Sequence, residues 1–126
     1  MRTISTPDAP EPKGHYSQAI VHGGLVYVAG QLATDPSDPD ADPGDAGEQT
    51  RLIFRNIEAI LGAAGSSLDR LLQVTIYVSD IGAWATVNDA FADALGDHRP
   101  TRAIVPVATL PPGREVEVVA IAAVDE

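Results

Sequence analysis

The pattern of the chain predicts a single α+β domain: five short strand-like runs and two helical stretches in the order β-β-α-β-α-β-β, with both helices on one face of one sheet. Three observations carry this. Residues 45–65 and 80–96 place apolar side chains at helical spacing. The other apolar runs are short, rich in β-branched residues and bounded by Gly or Pro. The 126 residues suit one core, and no internal repeat or break in composition divides them, so 1–126 is expected to be one domain.

The elements follow in order. Met1 to Lys13, with Pro7, Pro10 and Pro12, reads as an irregular lead-in. Ser17–Val21 and Leu25–Ala29, separated by His22, Gly23 and Gly24, read as a hairpin. Asp35–Gly47 is rich in Asp, Pro and Gly and reads as a surface loop. Asp45 suits a helix N-cap, with Glu48 in the first turn, where a carboxylate meets the positive end of the helix dipole. Ile53, Ile57, Ile60 and Ala64 form the buried stripe of that helix, and Gly65 ends it. Leu71–Ser79 is a strand with Leu72, Val74, Ile76 and Val78 on its apolar face. Ser79 or Asp80 starts the second helix, whose expected buried stripe is Trp84, Val87, Phe91, Ala94 and Leu95; Gly96 terminates it. Arg102–Val107 and Glu115–Val124 close the sheet, joined through Pro111, Pro112 and Gly113. The last strand is apolar on both faces after Glu117, so both faces need cover. Two helices cover one, and a second copy of the chain is the simplest cover for the other.

Composition excludes several classes of function. Eight basic residues against eighteen acidic ones give a net charge of −10, which disfavours nucleic acid as a partner. The chain has no cysteine, hence no disulfide and no thiolate chemistry. No apolar run reaches membrane-spanning length, and no charged-then-apolar leader opens the sequence; a soluble, cytoplasmic protein with no membrane partner is expected. The Asp38–Asp42 stretch looks faintly like a calcium loop, but Pro43 and Gln49 stand where that loop needs its glycine and bidentate glutamate. His15, His22 and His98 lack metal-ligand spacing, so no metal site is expected. There is no phosphate-binding glycine loop and no nucleophile elbow.

Residues 14–19, 28–32, 85–88 and 100–103, the last with Leu110 and residues 116–118, together and in order resemble the RidA/YjgF family of imine and enamine deaminases. Gly14-His15-Tyr16-Ser17-Gln18-Ala19 resembles the family's G-P-Y-S-Q-A segment. Val28-Ala29-Gly30-Gln31-Leu32 resembles its strand end, and Ala85-Thr86-Val87-Asn88 its helix segment. Pro100-Thr101-Arg102-Ala103, Leu110 and Val116-Glu117-Val118 resemble its closing pattern. The resemblance spans essentially the whole chain. It implies a chorismate-mutase-like fold, with helices on one sheet face and a trimer barrel on the other. It also implies a homotrimer with sites between subunits, no cofactor, and hydrolysis of 2-imino or 2-enamino acids to 2-keto acids and ammonia.

Each site residue has chemistry that fits its place. Arg102 opens a strand, and a guanidinium grips a carboxylate bidentately; the matching family arginine anchors the substrate carboxylate. Glu117 is a strand glutamate able to hold a water and shuttle protons; the resemblance, not its surroundings, separates it from Glu115. Tyr16 offers a hydroxyl and a ring to the pocket, and the matching family tyrosine comes from the neighbouring subunit. Asn88 lies near the apolar side of its helix; a direct contact to substrate and a structural tie stand equally open. The family pocket also uses backbone around Gly30 and at Ile104, and a glycine at a strand end admits close approach. Three positions depart from the family pattern: Ala29 replaces a common serine, Ile104 a common cysteine, and His15 the usual proline. The runner-up functions are a pathway-specific hydrolase of another enamine or imine, a non-catalytic metabolite binder, and an RNA-directed translation inhibitor.

Overall fold

The computed structural model describes residues 1–125, and two helices pack on one face of a six-stranded mixed sheet. The strands are β1 (Arg2–Ile4), β2 (Ala19–His22), β3 (Leu25–Leu32), β4 (Leu71–Val78), β5 (Thr101–Pro106) and β6 (Val116–Ala123), in the spatial order β1-β2-β3-β6-β4-β5. The helices are α1 (Ala46–Ala63) and α2 (Trp84–Leu95). All pairings are antiparallel except β4 with β5. This is the expected α+β architecture with one strand added. β1 lies in the stretch expected to be an irregular lead-in, but it pairs with β2, and Arg2 donates to the Ala64 carbonyl at 3.2 Å.

Local chemistry accounts for the boundaries. The β2–β3 hairpin turns through Gly23 and Gly24 at φ 60° and 76°, angles that a two-residue turn demands and other residues resist. Asp45 accepts from the Glu48 N–H at 2.9 Å, and the Glu48 side chain accepts from the Asp45 N–H at 3.2 Å, a reciprocal cap that satisfies two open donors of α1. Asp80 caps a single 3₁₀ turn, Ile81–Ala83, by accepting from Gly82 N–H, and α2 begins only after it. In the loop before α1, the Ser37 hydroxyl and N–H both donate to Asp35 and hold its carboxyl below the usual range.

The core lies between helices and sheet. Ile53, Ile57, Ile60 and Leu61 of α1 and Val87 of α2 meet Val26, Val74, Ile76, Val118 and Ala120 of the sheet, all buried. Phe54 and Phe91 meet edge to face with centroids 5.3 Å apart, fixing one helix against the other. Two expected core residues lie elsewhere. Leu72 is 46% exposed because the β4–β6 register shifts between Leu71 and Gln73, so Leu71 takes the core position. Trp84 is 43% exposed at the start of α2, and Ala90 is buried in that helix instead. No helix among the described residues is long and apolar enough to cross a membrane. On the sheet face away from the helices, Tyr27 and Val119 are exposed, with Glu117 and Ile121 half-buried beside Val119 along the same face.

Candidate active site

Glu117 stands on the uncovered face of β6, since its neighbours Val116 and Val118 are buried under the helices. It lies opposite Leu32 of β3 and Tyr77 of β4. Between Val28 and Gln31 the β3–β6 register shifts, so Ala29 and Gly30 together face the single residue Val119. This bulge brings the Gly30 backbone against Glu117: a Cβ at residue 30 would sit 3.0 Å from Oε2. Gly30 therefore makes room for the Glu117 carboxylate itself, a reason distinct from the ligand approach expected for it.

Tyr16 joins this group from the lead-in. It is 54% exposed and lines a small cavity of about 80 Å³ with Gly30, Lys13 and Gln31. The backbone on either side of Tyr16 is tied together by Gln18, a buried amide. Its Nε2 donates to the carbonyls of Thr6 and Pro10, each at 3.0 Å, and its Oε1 accepts from Thr6 N–H at 2.8 Å. Its own carbonyl accepts from Ala29 N–H at 2.9 Å. The Ala29 carbonyl accepts from Gln31 Nε2 at 3.3 Å. With that N–H committed and the side chain reduced to a methyl, Ala29 has no donor to offer a ligand. The signal for Gln18 was a polar residue at the start of an apolar strand, where a buried amide must find partners.

Arg102 belongs to a second group, on the other side of the sheet. It pairs in register with buried Val74 and points to the helix side, where Nη1 donates to Asn88 Oδ1 at 2.7 Å. Its guanidinium carbon lies 4.9 Å from the centroid of Phe91 and 5.6 Å from that of Trp84. Trp84, Asn88 and Phe91 recur at helical spacing on one face of α2, which is how one helix presents two rings and an amide to one guanidinium. The side chains read as a packing stripe thus also orient the arginine, and that spacing was the signal for it. Asn88 spends its carbonyl on Arg102. Ile104, two residues on, packs its side chain against the core. Because β5 is an edge strand, alternate backbone groups along it are open to a ligand.

The two groups do not meet within one chain. β5 and β6 are separated by β4, and Arg102 and Glu117 face opposite sides of the sheet. From β5 to the Gly30 bulge on β3 is three strand spacings, roughly 14 Å. The Arg102 guanidinium stands at one edge of the chain, and the Glu117 carboxylate with Tyr16 stands toward the other.

Comparison with known proteins agrees with this architecture. The family model described as Endoribonuclease L-PSP matches residues 6–124. A 2-iminobutanoate/2-iminopropanoate deaminase of Bos taurus is 38% identical over 121 residues, 96% of this chain and 88% of its own length. Two solved structures share the fold at a TM-score of 0.93. RidA from the Antarctic bacterium Psychrobacter sp. PAMC 21119 is 38% identical, covering 98% of this chain and 100% of that one. E. coli TdcF with bound serine is 33% identical, covering 99% of this chain and 100% of that one. A matched model over nearly all residues, a relative of this identity and these folds place the chain in one family: it belongs to the RidA/YjgF family.

Proposed function

We propose that this protein hydrolyses reactive 2-imino acids and their 2-enamino tautomers, such as 2-iminopropionate and 2-aminoacrylate, to 2-keto acids and ammonia, in sites built from two chains of a homotrimer. The observation that carries this reading is Arg102, oriented by Asn88 and two rings and left with further N–H donors for a small carboxylate. The mammalian relative named as such a deaminase, and the relative that binds serine, an α-amino acid with the same carboxylate, support it.

The chemistry follows from the residues. Arg102 fixes the α-carboxylate beside the C=N carbon. Glu117 of a neighbouring chain holds the water and accepts its proton as oxygen bonds to that carbon. The proton then goes to nitrogen, the C–N bond breaks, and ammonia leaves as the carbonyl forms. Tyr16 closes the pocket with its ring and offers its hydroxyl to the water or the leaving nitrogen. The reaction consumes only water. Backbone groups at Gly30 and Ile104 complete the pocket. Two chains are required because each carries the halves apart, and the uncovered apolar sheet face around Val119 supplies a surface for assembly.

The experiment is turnover of 2-iminopropionate generated in situ by an amino-acid oxidase. The wild type accelerates release of pyruvate, and Arg102→Ala abolishes the acceleration while light scattering shows an unchanged assembly. Full activity in Arg102→Ala sinks the assignment. The matched family description names an endoribonuclease, but a chain of net charge −10 offers little to a phosphate backbone.

A further inference from the structure

Beside Arg102 lies a cavity of about 460 Å³, between the C-terminal half of α2 and residues 96–102. Arg99, His98 and Arg102 all line it, with Asn88 and Phe91 behind them. Among the described residues no acidic side chain lines it, although the chain carries eighteen acidic residues and eight basic ones. Two of those eight basic residues therefore share one acid-free wall.

Arg99 also differs from most arginines of the chain. Arg51 and Arg70 are ion-paired with Asp93 and Asp125, and Arg2, Arg102 and Arg114 hydrogen-bond to protein oxygens. Arg99 is exposed and makes no hydrogen bond or ion pair among the described residues. The stretch that carries it is held in place. Pro100 restricts the backbone after it, and the neighbouring His98 ring meets the Leu71 carbonyl at 2.7 Å. A pair of cations in a concave wall without carboxylates focuses positive potential in an otherwise acidic molecule.

We propose that this wall selects 2-imino acids bearing a second carboxylate, with Arg102 taking the α-carboxylate and Arg99 the distal one. The proposal rests on the deaminase reading and adds the substrate class to it. Three residues of extended chain span at most about 10 Å, so two long arginine side chains can converge on the two ends of one short diacid.

The test compares the imines of a diacid and a monoacid, 2-iminoglutarate and 2-iminopropionate, each generated in situ, in the wild type, Arg99→Gln and Arg99→Lys. The expected result is that Arg99→Gln lowers the ratio of kcat/KM for diacid over monoacid by about tenfold, while Arg99→Lys, which keeps the charge, retains most of it. General damage to the fold lowers both substrates together and leaves the ratio unmoved. Calorimetry with the stable keto acids 2-oxoglutarate and 2-oxobutyrate reads the same preference without turnover. An unmoved ratio in an enzyme that hydrolyses 2-iminopropionate overturns the diacid proposal and leaves the deaminase reading standing. Absent hydrolysis of both imines, with 2-oxoglutarate binding that still depends on Arg99, overturns the deaminase reading and supports the diacid wall. Equal affinity for the two keto acids in the wild type overturns the wall as well.

Discussion

The carboxylate of Glu117 is placed by the absence of a side chain at Gly30. The glycine is needed for space and not for backbone freedom, because it is not among the glycines at positive φ. Gly30→Ala is therefore expected to fold normally and to push the carboxylate aside by a few tenths of an ångström, lowering kcat for 2-iminopropionate by about tenfold with little change in Tm. Steady-state kinetics beside a thermal melt checks this, and unchanged kcat would show that the contact has no catalytic weight. At this scale the sequence was informative about identity more than placement. The four family-like segments singled out Arg102, Glu117, Tyr16 and Gly30, while their grouping in space came from the fold. That Asn88 serves Arg102 was not legible, because an amide beside an apolar stripe looks the same whether it touches a ligand or a neighbour.

Among the elements, the lead-in shows how a segment without regular structure can be fixed. Gln18 is buried and ties the Thr6–Pro10 stretch to the start of β2, and Tyr16 lies between these anchors. Gln18→Ala removes a buried donor and acceptor and strands their partners. A loss of about 2–3 kcal/mol of stability is expected, read by urea denaturation, with faster proteolysis near the N-terminus. The helices and the hairpin were readable because caps, glycine turns and periodicity all agree there. β1 was not: it has three residues, one of them buried, and no pattern that short separates a strand from a coil. The bulges at Leu72 and at Ala29–Gly30 were equally hidden, since a one-residue slip in pairing depends on the partner strand. Trp84 follows from the same limit, because helical spacing marks a face but not how far the sheet extends beneath it.

For the whole molecule, the separation of Arg102 from Glu117 is the fact that matters most. The two-sided apolar character of β6 was legible and pointed to a second copy; the placement of Arg102 and Glu117 on opposite sheet faces was visible only once the strand order was known. The proposed two-chain sites make a distinctive prediction. Arg102→Ala and Glu117→Gln chains, each inactive alone, regain activity when mixed and allowed to exchange subunits. With equal, random mixing, about a quarter of the sites receive an intact Arg102 from one chain and an intact Glu117 from the other. The measured recovery on 2-iminopropionate should approach that fraction, and no recovery after verified exchange places both residues in one chain's site.

Under the proposed two-chain mechanism, the same separation makes a solitary chain chemically silent. Its arginine can capture a carboxylate with no water poised to attack, and its glutamate can hold a water with nothing to attack. Activity then has a threshold in protein concentration: above it, output rises in proportion to protein, and below it, newly made chains stay inert until they find one another.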